Sequence, residues 1–425
     1  MKKILIVTGI LFLHTICLQS QTVSIAQSPE QVGISSKKLQ KIDKEMSAWV
    51  DKGWMNGGAA LIIRNGKIVY HKALGYNDLD TKALLKKDDI FRIASQTKAI
   101  TSVAIMLLYE DGKLLLDDPV SKYIPSFKKQ TVLDKFNEAD TTYTTVPAVK
   151  EITIRELLTH TSGLGYATIG SKEANSIYAK NKISSGLEQG NTSLLDAISR
   201  LGTLPLMHQP GAKFTYGLNT DVLGCLVEVI SGMNLEQFFK TRIFEPLGMK
   251  DTHFNLPSEK TSRLVNLYLE EKDGSLHKAT SGILNTTAGP EYPTLQHSYF
   301  SGGAGLSSTV LDYGIFLQML LNNGKYNGNQ LLSRNAVRLM TSNQIGDINL
   351  GADKFGLGFQ VISEKGAART MAQEGTFSWG GAFATSYWAD PKEKMVLVFY
   401  RQLLGGTHGD VVEKFRALAY QSIID

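Results

Sequence analysis

The two ends of this chain carry the same elements in opposite order, and that symmetry narrows the choice of fold more than any other feature. Near the start, residues 36–52 (SKKLQKIDKEMSAWVDK) place Leu39, Ile42, Met46 and Trp49 at helical spacing behind the cap candidates Ser35 and Ser36. Two strand-like runs follow, GAALIIR and KIVYHKALG, joined by Asn65-Gly66, a dipeptide suited to a type I′ turn. Near the other end, AFATSYWAD and MVLVFYR flank a turn at DPKEK. A helix from about Asp410 to Ile423 then puts Val411, Val412, Phe415, Leu418 and Ala419 on one face. A helix-hairpin matched by a hairpin-helix fits one antiparallel sheet with both helices covering one face.

Between these ends the pattern changes. Helices are expected at 96–110, 153–159, 193–201, 219–232 and 235–243, separated by polar loops at 128–150 and 166–192. Residues 91–295 are therefore read as a mainly helical domain inserted into a sheet domain made of 28–90 and 296–425. A chain of 425 residues has room for one large or two interwoven domains, and with 43% hydrophobic and 20% charged residues it can bury a sizeable core. The formal charge of +5, from 45 Lys and Arg against 40 Asp and Glu, is scattered in pairs such as Lys86-Lys87 and Lys128-Lys129. That distribution leaves no electrostatic footprint for nucleic acid, and no nucleic-acid partner is expected.

Met1-Lys2-Lys3, followed by the apolar run Ile4 to Leu13 broken only by Thr8 and Gly9, has the form of a secretory signal peptide. It is read as residues 1–20, with cleavage after Ser20 or as late as Ala26. The run is too short to span a bilayer, and no later stretch reaches the roughly 18 apolar residues a span needs. A periplasmic or secreted protein is expected, with no stable membrane insertion after signal cleavage. Cys17 leaves with the signal, so Cys225 in VLGCLVEVI stands alone and no intrachain disulfide is available. Cys225 reads as a buried structural thiol.

Several signatures are missing: G-x-S-x-G, H-E-x-x-H, a Walker loop and C-x-x-C. No His are paired at metal-ligand spacing, so neither a metal nor a cofactor is expected. The candidate nucleophile is Ser95, which forms S-x-x-K with Lys98 in FRIASQTKAITSVAIMLLYEDG. The spacing alone decides nothing, because Ser35/Lys38, Ser126/Lys129 and Ser275/Lys278 share it. Context separates them. From Ala99 to Leu108 the helix is apolar almost all round, the pattern of a buried helix, and Asp111-Gly112 supplies a stop. Ser95 and Lys98 in its first turn lie on one face, about 5–6 Å apart at Cβ. A helix N-terminus favours developing negative charge, the Ser95 N–H can serve an oxyanion, and a nearby amine can relay the hydroxyl proton. The plainer reading makes Ser95 an N-cap and Lys98 a snorkelling side chain.

Seven segments occur in one order over most of residues 35–400: IASQTKAITSVAIMLL, LLLDDPVSKYIPSF, ITIRELLTHTSGL, FTYGLNTDVLGCLVEVISG, IFEPLGMKDTHF, FSGGAGLSST and FSWGGAFATSYWADPKE. With them the chain resembles the serine β-lactamase/penicillin-binding-protein-like family, on the branch of class C β-lactamases and family VIII carboxylesterases. The resemblance implies an α/β fold of the α+β sandwich type. Its antiparallel five-stranded sheet would be flanked by helices, with an all-helical domain inserted and the site at their junction. It implies Ser95 as nucleophile, with Lys98 and Tyr216 moving its proton. The family's Y-x-N motif is here Tyr216-Gly217-Leu218, with Asn219 one residue late as a candidate substrate contact. Judged by residues alone, Tyr216 reads first as a core tyrosine with a satisfied hydroxyl and only second as catalytic.

Where β-lactamases carry K-T-G, this chain has Trp379-Gly380-Gly381, the form similar to family VIII esterases. The resemblance makes these three substrate-binding residues and the Ala382 N–H the second oxyanion donor beside the Ser95 N–H. A Lys there attracts a carboxylate, whereas a Trp offers an apolar wall, which favours esters or neutral amides. Arg401 and Lys365 are the remaining candidates for a cation. His160, in LLTHTSGL, reads as structural. Lys starts near pKa ~10.4 and Tyr near ~10, so bringing either to neutrality takes similar energy and the residues leave the base undecided. Ser95, Lys98 and Tyr216 are taken as one coupled unit. The resemblance thus implies an exported serine hydrolase that forms an acyl-Ser95 intermediate on a small-molecule ester, lactam or D-amino-acid amide. A family VIII-type carboxylesterase ranks first, then a class C-like β-lactamase, then a D-amino-acid peptidase or transacylase, and last a catalytically silent penicillin-binding-like protein. The natural substrate depends on the loops 128–150, 166–192 and 279–298, and neither it nor the oligomeric state is legible.

Overall fold

The computed structural model describes residues 22–187 and 192–425; the expected signal peptide, 1–20, lies outside the described residues. Strands β1 (Ser24–Ile25), β2 (Gly57–Arg64), β3 (Lys67–Asp78) and β4 (Ala83–Leu84) come from the start of the chain. Strands β5 (Lys354–Phe355), β6 (Gln360–Val361), β7 (Phe377–Gly381), β8 (Thr385–Asp390) and β9 (Met395–Tyr400) come from its end. They form one nine-stranded sheet in the order β1-β3-β2-β9-β8-β7-β6-β5, with β4 paired to β3. Asn65 and Gly66 both take positive φ (52° and 74°), as a type I′ turn between β2 and β3 needs. β2 and β9, from opposite ends of the chain, are antiparallel neighbours at the centre, with Ala59 opposite Tyr400 and Arg64 opposite Met395.

The helices used below are α1 (Ser36–Asp51), α2 (Thr97–Glu110), α3 (Ile154–Leu158), α4 (Lys172–Lys180), α5 (Leu194–Leu201), α6 (Asn219–Ser231), α7 (Leu235–Phe239), α8 (Val310–Leu321) and α9 (Val411–Tyr420). The Ser35 hydroxyl caps α1 by accepting from the Lys38 N–H, and Leu39, Ile42, Met46 and Trp49 are its buried side. Successive residues of a strand face opposite ways. Ala60, Ile62, Leu397 and Phe399 therefore meet α1 and α9 on the outer face. Ala59, Leu61, Ile63, Val396, Val398 and Tyr400 point inward, into a cluster that also holds the apolar residues of α8, α2, α6 and α5. α8 lies so close on β2 that a Cβ at Gly314 would collide with the Leu61 side chain. Every residue of α2 from Thr97 to Leu108 is buried, which is why its sequence lacks a polar face.

The sheet departs from the expected five antiparallel strands. The five central ones, β3-β2-β9-β8-β7, are antiparallel, but β1 joins β3 in parallel and the sheet is mixed. Four of the added strands are two residues long, too short to show any alternation in sequence. The 91–295 stretch is also not all-helical. The polar segment 128–150 forms a hairpin, Thr131–Phe136 against Tyr143–Pro147, whose second strand is exposed throughout, so nothing apolar marked it. A small sheet joins Tyr268–Glu270, Leu276–Lys278 and Leu403–Leu404, and the polar segment from 166 contains α4 behind a Ser171 cap. Among the described residues no single helix is long and apolar enough to cross a membrane. Cys225 is fully buried, and burial with Glu228 nearby pushes its thiol up to about 12.

Candidate active site

Ser95 sits in a single 3-10 turn, Ala94–Gln96, that runs directly into α2. The turn is held from the sheet side, where Tyr400 Oη donates to Gln96 Oε1 at 2.6 Å, and from α8, where Tyr313 Oη donates to the Gln96 carbonyl at 2.9 Å. Ala94 before it has φ 42°, a left-handed conformation that costs a non-glycine residue about 1–3 kcal/mol and persists only where the surroundings enforce it. Ser95 is the one partly exposed residue in an otherwise buried run from Phe91 to Ile100. It does not cap the helix. Its Oγ instead accepts from Tyr216 Oη at 2.6 Å and from Lys98 Nζ at 3.2 Å.

Lys98 is 3% exposed and does not snorkel. Its Nζ donates to Ser95 Oγ at 3.2 Å, Tyr166 Oη at 3.0 Å and the Gly303 carbonyl at 2.7 Å. Three acceptors match the three protons of an ammonium. The amine also lies 4.7 Å from the Tyr216 ring centroid. Burial works against its charge, but the phenols of Tyr166 and Tyr216 favour it more, and its pKa lies above the ordinary lysine value. Burial raises the Tyr166 phenol too, against the pull of the Lys98 charge.

Tyr216 arrives on the segment leading into α6. Gly217 lies against the Leu164 carbonyl so tightly that any Cβ would collide, and the Leu218 N–H donates to the Gly165 carbonyl at 3.0 Å. That docking explains the glycine in Tyr216-Gly217-Leu218. Asn219 is not the substrate contact expected of it. It is 0% exposed; its amide donates to His160 Nδ1 at 2.9 Å and its carbonyl oxygen accepts from Ser162 Oγ. One residue past the motif position, it has turned with the helix into the core and cannot reach a substrate. His160 packs its ring 4.9 Å from that of Tyr216 and 5.7 Å from those of Phe214 and Phe355. Burial and the Lys98 charge hold His160 well below the usual imidazole range, so it is a neutral acceptor behind Tyr216.

β7 forms the opposite wall. Trp379 is partly exposed, its ring 5.5 Å from Tyr216 and 5.4 Å from Phe355. Gly381 is pressed onto the Ile93 carbonyl, which sets Ala382 beside the turn that carries Ser95. The close approach requires glycine at 381; at 380 a Cβ would come no nearer than 3.3 Å to any atom, the Thr385 carbonyl. The two candidate cations are elsewhere. Arg401 is 4% exposed with its guanidinium 5.9 Å from the Phe399 ring, on the face covered by α1 and α9. Lys365 is exposed on a short helix, Glu364–Ala367. Among the described residues no three His, Cys, Asp or Glu gather as metal ligands.

Three residues at the site were not anticipated. Tyr166 lies two positions beyond LLTHTSGL, at the start of a segment read as polar loop. Asp221 is one of two acids, with Glu228, in an otherwise largely apolar helix, and a first-turn carboxylate is ordinarily explained by the helix dipole. Gly303, in FSGGAGLSST, lends only its carbonyl, which no side-chain pattern reports. The arrangement can do acyl-transfer chemistry: a hydroxyl in contact with a phenol and an amine, beside a strand end whose N–H groups can meet an oxyanion.

A family model described as Beta-lactamase matches residues 40–421. Protein Rv1367c of Mycobacterium tuberculosis (strain ATCC 25618 / H37Rv) is 34% identical over 366 residues, 83% of this chain and 87% of that one. Esterase EstB of Burkholderia gladioli is 30% identical over 348 residues, 79% of this chain and 82% of that one. Among solved structures, EstCE1, a hydrolase with promiscuous acyltransferase activity, aligns with a TM-score of 0.78 and 27% identity, covering 90% of this chain and 99% of that one. A match over nearly the whole chain, together with an esterase among its relatives and a hydrolase that shares its sheet-and-helix frame, makes this chain a member of the beta-lactamase family of serine hydrolases.

Proposed function

We propose that this protein is an exported carboxylesterase of the family VIII type, with Ser95 as nucleophile. The observation that carries the reading is the 2.6 Å contact of Tyr216 Oη with Ser95 Oγ, with Lys98 Nζ 3.2 Å from the same oxygen. The reactive form has lost one proton from the Lys98–Tyr216 pair, leaving an ammonium beside a phenolate. Ser95 Oγ attacks the ester carbonyl carbon while its proton passes to Tyr216. The oxyanion forms against the Ser95 and Ala382 N–H groups. As the C–O bond to the alcohol breaks, Tyr216 returns the proton to the leaving oxygen. Water then attacks the acyl-Ser95 ester by the same route in reverse, releasing the acid and restoring Ser95. The partly exposed Trp379, where a Lys would hold a carboxylate, supports an ester or neutral amide as substrate.

Export belongs to the same proposal and is supported by the basic and then apolar start of the chain. A cut after Ala26 would remove β1, which pairs Ser24 with Lys67 and Ile25 with Ile68, so cleavage after Ser20 is the one proposed.

Hydrolysis of p-nitrophenyl acetate and butyrate, set beside a chromogenic cephalosporin, tests the reading. Ester turnover is expected to dominate and to fall by at least ~10³-fold in Ser95→Ala. Ester turnover that survives Ser95→Ala would exclude the nucleophile. Rapid cephalosporin cleavage with negligible ester turnover would replace the esterase with a β-lactamase.

A further inference from the structure

Outside the groups already given a task, one buried ionisable side chain stands at the centre of the site. Asp221, in the first turn of α6, is 0% exposed. Its Oδ1 accepts from Ser301 Oγ at 2.6 Å and from the Gly303 N–H at 3.4 Å. The carbonyl of the same Gly303 is the 2.7 Å acceptor for Lys98 Nζ. Carboxylate and amine thus share one glycine: a Cβ built on Gly303 would lie 2.5 Å from Asp221 Oδ2 and 3.5 Å from Lys98 Nζ. The turn between them is fixed, since Thr101 Oγ1 of α2 donates to the Gly302 carbonyl at 2.7 Å and the Ala304 N–H donates to Ser301 Oγ at 3.0 Å.

Taking a carboxylate or an ammonium out of water alone is costly; near each other, each offsets the other's desolvation. We propose that Asp221 is a positioning residue which, through Gly303 and by its own charge, keeps the site's remaining proton on Lys98 and so leaves Tyr216 to take the proton of Ser95. This rests on the hydrolase reading above and adds to it the group that holds the proton on Lys98. The groups facing Lys98 from the elements packed on α2 are the phenols of Tyr166 and Tyr216, the imidazole of His160 and the carboxylate of Asp221. His160 is held neutral, and an ammonium with three acceptors is the form the geometry accommodates.

The test is a thermal-denaturation cycle on the full protein, Asp221→Asn, Lys98→Met and the double variant, which needs no substrate. If the two charges support each other, Asp221→Asn lowers Tm in the wild-type background, yet leaves it unchanged or raises it in the Lys98→Met background. Failure of Asp221→Asn alone to fold, with a folded double variant, supports the proposal equally. A Tm change of equal size and sign in both backgrounds would overturn the proposal, because Asp221 would then serve only the 301–303 turn. A second measurement uses p-nitrophenyl butyrate. Removing the negative charge makes the Lys98–Tyr216 pair easier to deprotonate, so the acidic limb of the kcat profile should move down by about 1 in pH in Asp221→Asn, and stay in place in Ser301→Ala. An unmoved limb in Asp221→Asn would count against the charge. Loss of activity in Ser95→Ala is read separately, so a failed cycle leaves the hydrolase reading standing, and a failed hydrolase reading leaves the cycle interpretable.

Discussion

Gly380 and Gly381 are neighbours in sequence and equivalent in composition, but the chain treats them differently. At 381 an added methyl would be driven into the Ile93 carbonyl, well inside the 3.0 Å that real Cβ atoms respect, and neither backbone can retreat: Ile93 is in the core and Gly381 is paired with Thr385. At 380 the nearest atom is the Thr385 carbonyl at 3.3 Å, and a few tenths of an ångström suffice. Gly381→Ala should therefore move Ala382 away from Ser95 and cost ~10²–10³ in kcat, the usual loss of one oxyanion donor, with KM changed much less. Gly380→Ala should keep kcat within a few-fold. Steady-state kinetics on p-nitrophenyl butyrate separates the two; equal losses would mean that the strand end does not serve the oxyanion.

At the level of elements, what the sequence disclosed follows what periodicity can carry. α1, α2, α5 and α6 and the strands β2, β8 and β9 each bury several apolar side chains and stand where the pattern put them, while β3, whose one buried residue is Tyr70, follows from the Asn65-Gly66 turn. The two-residue strands and the exposed hairpin at 131–147 bury too little to write a pattern, and α4 writes only a single i, i+3, i+4 set, Ala174, Ile177 and Tyr178, among polar neighbours. In the site, Ser95, Lys98 and Tyr216 were legible from motif and resemblance, and they meet. Asn219 was misjudged because one residue of displacement on a helix turns a side chain by about 100°. Asp312 shows the same limit. It looks like an ordinary acid in the first turn of α8, and Thr309 caps the helix by accepting from its N–H. Its carboxylate, however, is 5% exposed and accepts from the Asp251 N–H at 2.7 Å and Thr252 Oγ1 at 3.0 Å. Burial outweighs those bonds and raises its pKa from 3.8 to about 6. A carboxyl raised in the folded state binds its proton more tightly there than when unfolded. Its contribution to stability is therefore full below pH 3.8 and lost as pH rises through about 6. Relative to Asp312→Asn, which cannot titrate, the wild type should lose about 2 kcal/mol between pH 4 and 7 in urea unfolding. Parallel profiles for the two proteins would show that burial is not acting on this group.

Taken whole, the molecule is closed by its two ends, and the site lies where the parts they enclose meet. Ser95 and Lys98 come from the 91–295 stretch, Trp379 to Ala382 from the sheet, and one apolar cluster runs through both. We propose the division into a sheet domain of 28–90 with 296–425 and an inserted domain of 91–295, the two joined through that shared cluster. The closure itself runs through Arg64 at the end of β2. Its guanidinium donates to the carbonyls of Val32 at 2.9 Å and Gly33 at 3.0 Å, to Asp425 Oδ1 at 2.7 Å and to Glu393 Oε2 at 3.1 Å. Beside it the Ser35 N–H donates to the Ser422 carbonyl at 2.8 Å and the Ile424 N–H to the Gly33 carbonyl at 3.0 Å. The partners are unequal. The Asp425 side chain is 57% exposed, so its ion pair is screened by solvent and contributes little. The Arg64 side chain is 8% exposed, and removing it takes the donor from the Val32 carbonyl and from both the carbonyl and the carboxylate of Glu393, at a cost of about 2–3 kcal/mol, while the Gly33 carbonyl keeps the Ile424 N–H. Arg64→Met should therefore lower the urea midpoint clearly and Asp425→Asn hardly at all, while kcat at 25 °C stays that of the wild type in both. Were Asp425→Asn to cost as much as Arg64→Met, the ion pair rather than the carbonyl clamp would be what joins the chain ends.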